Sequence, residues 1–284
     1  MDKKPNSKNR FVNVVLWCLL LGFAALFAFS GIKLLGINRV YQTGTDTYEA
    51  IAESAVVQLT EQEQLPVSAP ESSEIPVSES VDVTAYDNAK LPEDELKTSA
   101  TVLVDFEKLR QINPDVEAWI TNGAEINYPV VHGKDNEYYL NHLFDGTENE
   151  NGSIFSDVHN LPGFVDRNTV VYGHNMKNGA MFATLPQYGT EGYYRDHPTL
   201  ELITPDASYL LEVFSGYVTK KNSDTFQLRF KDDESYGSYL KLIQSRSDFA
   251  TDVEITVSDR IVTLSTCADS SDTRYVVHCK LVKR

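Results

Sequence analysis

Positive charge is scarce in this 284-residue sequence: 25 lysines and arginines stand against 41 aspartates and glutamates, for a formal net charge of −16. With no basic face to offset that charge, a nucleic-acid partner is not expected. Cysteine is scarce too, and three residues are too few for a disulfide framework. Their surroundings also differ: Cys18 lies in an apolar run, Cys267 at the end of a predicted strand, and Cys279 within the last predicted strand.

Motifs for metal and phosphate binding are missing as well. Cys267 and Cys279 are twelve residues apart with only His278 nearby, and no histidines have the spacing of zinc ligands. There is no glycine-rich phosphate-binding loop. We therefore predict no metal and no other cofactor, and we interpret Cys279 as a small buried packing residue, because it alternates with Val277 and Leu281.

Charge is also absent from a long N-terminal run. Residues 1–10 carry four basic side chains, and residues 11–32 carry no charge at all. The uncharged run is about the 20 residues that a membrane-spanning helix needs. The sequence "AFSG" is a poor signal-peptidase site, which favours an uncleaved anchor. We predict a protein of the cell membrane, with a cytoplasmic tail over 1–10 and a single transmembrane anchor over 11–32. The rest of the chain is predicted to be extracellular.

The segment 33–100 reads as an extracytoplasmic stalk or linker. A short helix is indicated near its start, with Tyr48, Ile51, Ala55 and Leu59 at helical spacing. Residues 65–97 are rich in proline, serine and glutamate and cannot bury enough apolar surface to offset their ordering entropy. We predict that the linker is largely disordered.

From residue 101 onward the pattern is that of a folded domain, 101–284. A helix is predicted over 104–112, and a second helix at Asn113, which suits an N-cap and is followed by Pro114 at the first helical position. A further helix is predicted over 232–246, with residues 236, 239, 240 and 243 on one face. Strands are predicted over 125–131, 152–157, 168–174, 200–205, 209–219, 253–266 and 274–282. Seven or so strands with few helices indicate a mostly antiparallel β-barrel or sandwich.

Cys267 and Arg274 are candidates for chemistry because a six-residue loop separates the strands that carry them. A free thiol is only about 3% thiolate at pH 7, so a nucleophilic cysteine needs a base or a cation beside it. Among the six histidines, His174 stands at a predicted strand exit, where Gly173 would free the backbone to turn. His174 is one possible base beside Cys267. We interpret the other histidines as solvated or structural.

Two segments, "TVVYGHNMKNGAMFATL" and "TLSTCADSSDTRYVV", resemble the histidine and cysteine–arginine motifs of sortases, and "INPDVEAWITNGAEINYPVVHGKDNEYYLNHLFDG" resembles the front of class B sortases. The motifs occur in the family's order, and the likeness covers about residues 101–284. One departure is Ala118, which precedes Trp119 where the family usually has glycine.

The resemblance implies a closed β-barrel of about seven or eight strands with N-terminal helices and a helix before the cysteine strand. It also implies a transpeptidase that cleaves an LPXTG- or NPXTN-like sorting motif of surface proteins. By resemblance, Cys267 attacks the threonine carbonyl, His174 moves the proton, and Arg274 holds the substrate backbone and the oxyanion. The implied substrate-binding residues are Asn136, Leu140, Tyr172, Ser265 and Thr266. The acceptor would be an amine of a lipid II-like peptidoglycan precursor or, in a pilin-polymerising enzyme, a pilin lysine.

Two other classes of function stay open on the sequence. A cysteine peptidase would use water as the acceptor, although a papain-like order has histidine after cysteine. A membrane-tethered binding module without catalysis would leave Cys267 unreactive.

Overall fold

The computed structural model describes residues 7–59, 101–267 and 272–284. The helices in these ranges are α1 (Ser7–Ala55), α2 (Phe106–Ile112), α3 (Glu191–Asp196) and α4 (Asp233–Ser245). The strands are β1 (Val56–Leu59), β2 (Thr101–Val104), β3 (Val116–Thr121), β4 (Asn127–Val131), β5 (Ile154–Ser156), β6 (Asn168–His174), β7 (Thr199–Ile203), β8 (Ser208–Lys220), β9 (Ile261–Cys267) and β10 (Thr273–Lys283).

Eight strands close into a barrel in the order β10-β8-β7-β3-β4-β5-β6-β9. The pairs β4–β5 and β6–β9 are parallel, and β9 pairs antiparallel with β10. Strand β9 therefore lies between β6 and β10, although β6 is far away along the chain. The predicted mostly β closed barrel, with N-terminal helices and a helix before the cysteine strand, is confirmed.

Helix α1 is much longer than the predicted span of 11–32. Its large apolar side chains are exposed at many positions from Val15 to Ile37, and it is the one helix in the described ranges that is long and apolar enough to cross a membrane. Its last turns are different, because Tyr48, Ile51 and Ala55 are buried against the domain. Apolar contacts with the barrel hold the helix as far as Ala55, and its last turns contain the short helix predicted from the spacing of Tyr48, Ile51 and Ala55.

The two strands that flank residues 60–100 pair with each other. Strand β1 pairs antiparallel with β2, with Leu59 opposite Thr101. The main-chain N–H of Asp105 also donates to the Ala55 carbonyl at 2.8 Å. Most of the predicted disordered stalk, residues 60–100, lies outside the described residues. In chain order these residues connect β1 and β2, which pair with each other.

The predicted helix at Asn113 is wrong. Helix α2 ends there, with the Asn113 N–H donating to the Leu109 carbonyl at 2.8 Å. The Asn113 side chain accepts from the Asp115 N–H at 2.9 Å, an N-cap-like contact that here closes a turn. Every residue of the next segment, β3, is buried, and burial between neighbouring strands outweighs the local helix-start signal.

Two further expectations are revised around β9 and β6. The predicted strand over 253–266 is formed only from Ile261, because the Thr256 N–H and hydroxyl both donate to Asp259 and close a turn. Gly173 lies inside β6 and not in a turn. A Cβ at Gly173 would lie 2.5 Å from Ile154 Cδ1 and 2.8 Å from Phe182, so close packing excludes a side chain there.

Helix α4 covers one outer face of the barrel, and the face that it buries is the one predicted from the sequence. Asp232 and Ser235 form a capping box at its start. Its buried side chains, Tyr236, Tyr239, Leu240 and Ile243, pack against Phe214, Tyr217, Ile261 and Val276. The helical periodicity of the sequence is confirmed, and this second core fixes the outer side of β8, β9 and β10.

Polar side chains are also buried beneath α4. Thr263 Oγ1 lies 2.7 Å from Asn168 Oδ1 and 2.9 Å from His278 Nδ1, and His278 Nε2 lies 3.2 Å from the Tyr217 hydroxyl. Burial lowers the pKa of His278 to about 3, with a smaller contribution from the charge of Arg246. His278 is therefore a neutral structural residue at physiological pH. Cys279 is buried as predicted, and burial raises the pKa of its thiol.

Candidate active site

Three strand positions meet in one row at the end of the barrel. His174 is the last residue of β6 and pairs with Cys267, the last residue of β9, in the parallel ladder. On the other side of β9, the antiparallel pairing with β10 ends at Ser265 opposite Val276. Cys267 lies two residues beyond this last pair on β9, and Arg274 lies two residues beyond it on β10. The backbone therefore brings the predicted histidine, cysteine and arginine together across three adjacent strands.

The His174 ring is held by a main-chain carbonyl. Its Nε2 lies 2.7 Å from the carbonyl oxygen of Leu140, in the 3₁₀ turn Tyr138–Leu140. A carbonyl oxygen only accepts hydrogen bonds, so Nε2 carries the proton and Nδ1 is the unprotonated nitrogen of the neutral ring. Leu140, which the resemblance implied as a substrate-binding residue, thus selects the tautomer of His174.

A cavity of about 320 Å³ lies beside this row. Five of its lining residues were predicted as site residues: Asn136, Leu140, Tyr172, His174 and Arg274. Sequence reasoning missed the other three, Phe155, Lys221 and Phe226. Phe155 is the aromatic residue of the predicted strand 152–157 and could have been marked on that ground. Lys221 and Phe226 lie in a connection whose path no local pattern predicts.

Aromatic rings form one wall of the cavity. The Tyr172 ring centroid lies 5.3 Å from that of Phe155 and 6.4 Å from that of Phe226. Rings at these separations attract each other beyond their simple burial. The wall can therefore hold the apolar part of an extended ligand in a fixed shape.

Two cations border the cavity. Arg274 is half-buried, and its Nη1 donates to the Thr273 carbonyl at 2.9 Å. Lys221 pairs with Asp272, with 2.8 Å between Nζ and Oδ1. A guanidinium keeps its charge and offers several donors in a planar fork, which suits it to an oxygen that develops negative charge.

The two remaining predicted substrate-binding residues do not line the cavity. They are Ser265 and Thr266. Both are buried within the sheet. The Thr266 hydroxyl lies 3.1 Å from the Tyr275 N–H and 3.3 Å from its carbonyl oxygen. Its hydrogen-bonding capacity is therefore used to hold β9 against β10.

A larger cavity, about 450 Å³, lies on the far side of the 3₁₀ turn Tyr138–Leu140. Its described lining includes Asp115, Asp135 and Asp145 but neither histidine nor cysteine. The smaller cavity is the candidate active site, because it alone of these two adjoins His174 and Arg274.

Comparisons with known proteins agree with this arrangement. The family model described as Sortase domain matches residues 121–282. Sortase B of Listeria monocytogenes is 36% identical over 180 residues, which cover 62% of this chain and 73% of that protein. The Staphylococcus aureus sortase B–substrate complex has a TM-score of 0.61 and 37% identity, and the match covers 63% of this chain and 85% of that one. A sortase B complexed with triglycine has a TM-score of 0.60 and 37% identity, with 63% and 86% covered.

A closed eight-stranded barrel with histidine, cysteine and arginine at adjacent strand ends is the architecture of a cysteine transpeptidase, and this chain belongs to the sortase family, class B. Its enzyme class, sortase-type cysteine transpeptidase, follows from that membership.

Proposed function

We propose that the chain cleaves a C-terminal sorting motif resembling LPXTG or NPXTN at the threonine carbonyl and transfers the acyl group to an amine. The observation that carries the proposal is the row of backbone positions His174, Cys267 and Arg274 beside a cavity of about 320 Å³. A substrate of the sorting-motif type is supported by the likeness to a sortase B–substrate complex.

In the proposed first half-reaction, the Cys267 thiolate adds to the threonine carbonyl carbon and forms a tetrahedral oxyanion. Arg274 donates to that oxyanion, a contribution of order 10²–10³ in rate. Protonated His174 gives its proton to the leaving amine as the C–N bond breaks, which leaves a thioester on Cys267.

In the second half-reaction an amine attacks the thioester. Neutral His174 accepts the amine proton, and the thiolate leaves as the new amide forms. Since Nε2 is held by the Leu140 carbonyl, Nδ1 is the atom proposed to exchange the proton in both halves. The fixed carbonyl orients the ring in its neutral and its protonated form alike.

The acceptor is proposed to be an amine of a peptidoglycan precursor resembling lipid II. The likeness to a sortase B complexed with triglycine supports a glycine-type amine. A pilin lysine is the alternative acceptor of a pilus-assembling enzyme. The apolar helix α1 is consistent with a single-pass anchor, and we propose that its basic N-terminus is cytoplasmic and that the domain faces outward.

The test uses the full-length protein in detergent micelles with LPXTG and NPXTN peptides, with and without triglycine, and mass spectrometry of the products. Wild type should release the fragment after threonine and join the threonine to triglycine. Cys267→Ala and His174→Ala should abolish cleavage, whereas the matched control Cys279→Ala should retain it. If the wild-type products are hydrolysed peptides and no triglycine is joined to them, the protein is a peptidase. If wild type neither cleaves the peptides nor reacts with a methanethiosulfonate at Cys267, it is a binding module.

A further inference from the structure

A buried carboxylate lies directly behind the cavity wall. Asp157 follows β5 and is 6% exposed. Its Oδ2 accepts from the Tyr172 hydroxyl at 2.8 Å and from Asn136 Nδ2 at 3.1 Å. Its Oδ1 accepts from the main-chain N–H of His159 at 2.9 Å and lies 2.8 Å from His159 Nδ1. Four partners occupy the roughly four lone-pair sites of the carboxylate, and two of them line the cavity.

These contacts fix the orientation of the Asn136 amide. Asn136 Oδ1 accepts from the Val158 N–H at 2.9 Å, while Nδ2 donates to Asp157. A flipped amide would set a donor against the Val158 N–H and an acceptor against a carboxylate, and both contacts would be lost. The side chain is therefore held with one further N–H and one further lone pair to offer to the cavity.

The same carboxylate sets the tilt of Tyr172. Its hydroxyl is directed to Asp157, so the ring presents a face to the cavity beside Phe155 and Phe226. Burial raises the pKa of Asp157, but hydrogen bonds from His159 and Tyr172 and the nearby His159 charge outweigh burial and lower it. The group is thus an anion at neutral pH and can accept from all its partners.

We propose that Asp157 is a positioning residue that orients Asn136 and Tyr172 to bind the main chain and an apolar side chain of an extended peptide substrate. A peptide unit offers one donor and one acceptor, which the held amide of Asn136 complements. The inference rests on the proposed function, since it assigns the peptide to the same cavity. Asp157 is not among the lining residues, so it acts through the two side chains and not on the reacting atoms.

Asp157→Asn tests this in the full-length protein with whichever of the two motif peptides wild type cleaves. An asparagine replaces one oxygen by an NH2 group, and its remaining oxygen is a neutral acceptor. Whichever way the amide faces, it therefore holds Asn136 and Tyr172 less tightly than the carboxylate does. We expect KM to rise about 10-fold with kcat within 2-fold, because binding is lost equally in the ground and transition states. An unchanged KM would overturn the proposal.

Asp166→Asn is the matched control. The Asp166 side chain is 9% exposed, the same as that of Asp157, and it too accepts several hydrogen bonds, from Asn160, Leu161 and Arg229. None of these donors lines the cavity. We expect a similar loss of thermal stability but KM within 2-fold of wild type; an equal rise in KM would reduce Asp157 to a structural role.

A double-mutant cycle identifies the route of the effect. In an Asn136→Ala, Tyr172→Phe background, adding Asp157→Asn should change KM by less than 2-fold, because its two targets are gone. Persistence of the full 10-fold effect would refute action through these residues. If Asp157→Asn does not fold, Tyr172→Phe alone removes one contact, and a KM that does not rise would count against the proposal.

A spectroscopic readout keeps this inference separate from the proposed function. In protein labelled with ¹⁵N-asparagine, the side-chain amide signal of Asn136 is assigned by its loss in Asn136→Ala. Asp157→Asn should shift that signal and Asp166→Asn should not. A wild type that cleaves neither peptide defeats the proposed function, while the amide signal still decides whether Asp157 orients Asn136.

Discussion

Replacing Tyr48 by phenylalanine tests how firmly helix α1 is joined to the domain. The Tyr48 hydroxyl donates to the Gly152 carbonyl at 2.7 Å, accepts from the Phe144 N–H at 3.2 Å, and lies 3.0 Å from Ser153 Oγ. Burial raises the pKa of Tyr48, so the hydroxyl keeps its proton. Its ring meets that of Tyr128 edge-on, with 5.2 Å between the centroids.

Tyr48→Phe keeps the ring contact and removes only the oxygen. It leaves a buried N–H and a buried carbonyl without this partner, and each unsatisfied group costs about 1–3 kcal/mol. The carbonyl has a second lone pair and suffers less, so we expect about 3 kcal/mol in all. For a domain of this size, 1 kcal/mol corresponds to roughly 2–4 °C, so the melting midpoint should fall by about 6–12 °C.

The measurement is thermal unfolding of the full-length protein in detergent, followed by circular dichroism in the near-ultraviolet. Tyr41→Phe is the control on the same helix: Tyr41 is half-buried, and its hydroxyl makes no hydrogen bond to the described residues. It should cost less than about 0.5 kcal/mol. A Tyr48→Phe midpoint within 2 °C of wild type would show that the helix end does not stabilise the domain through this oxygen.

Three further predictions concern the site and its supports. His278 has a folded-state pKa of about 3, below its unfolded value, so the unfolded state binds the extra proton as the pH falls. The free energy of unfolding should therefore fall by about 1.4 kcal/mol per pH unit between about pH 6.5 and 3. Denaturant unfolding at pH 7 and 4.5 should show this pH-dependent loss in wild type and not in His278→Gln. Gly152 has φ +56°, and a Cβ there would lie 2.6 Å from the carbonyl oxygen of Leu140, so Gly152→Ala should cost about 2–4 kcal/mol of stability. It should also lower kcat, because it displaces the Leu140 carbonyl that accepts from His174. Normal turnover in that variant would contradict the role of the carbonyl. Arg274→Lys keeps a charge but not the planar fork, so kcat/KM should fall roughly 10²-fold, whereas near-wild-type transpeptidation would leave Arg274 a simple counter-charge.

Local patterns determined the elements whose own residues settle their conformation. The run "NTVVYGH" is β6 from end to end, and the apolar spacing over 232–246 is α4 with the predicted buried face. Alternating or helical periodicity reports directly which side of an element faces a core. These patterns indicated a β-barrel or sandwich. The resemblance of the ordered motifs to sortases then implied the closed barrel and the roles of His174, Cys267 and Arg274.

Contacts between distant segments decided the rest. Asn113 has the side chain of a helix N-cap, yet the burial of β3 turns the next residues into a strand. Helix α1 continues to Ala55 because the barrel covers Tyr48 and Ile51. The helical spacing of Tyr48, Ile51 and Ala55 marks an apolar face, but only the tertiary structure shows that the barrel covers it.

The site shows the same division. Residue types predicted which groups have useful chemistry, but the parallel pairing of β6 with β9 decided that His174 and Cys267 are neighbours. Ser265 and Thr266 stand next to the cysteine in sequence and are nonetheless buried in the sheet, while Phe226 reaches the cavity from a separate connection. A sequence determines which side chains alternate along each strand. Which hydrogen-bond partner each one meets depends on strand register and chain path, and these are set only when the barrel closes.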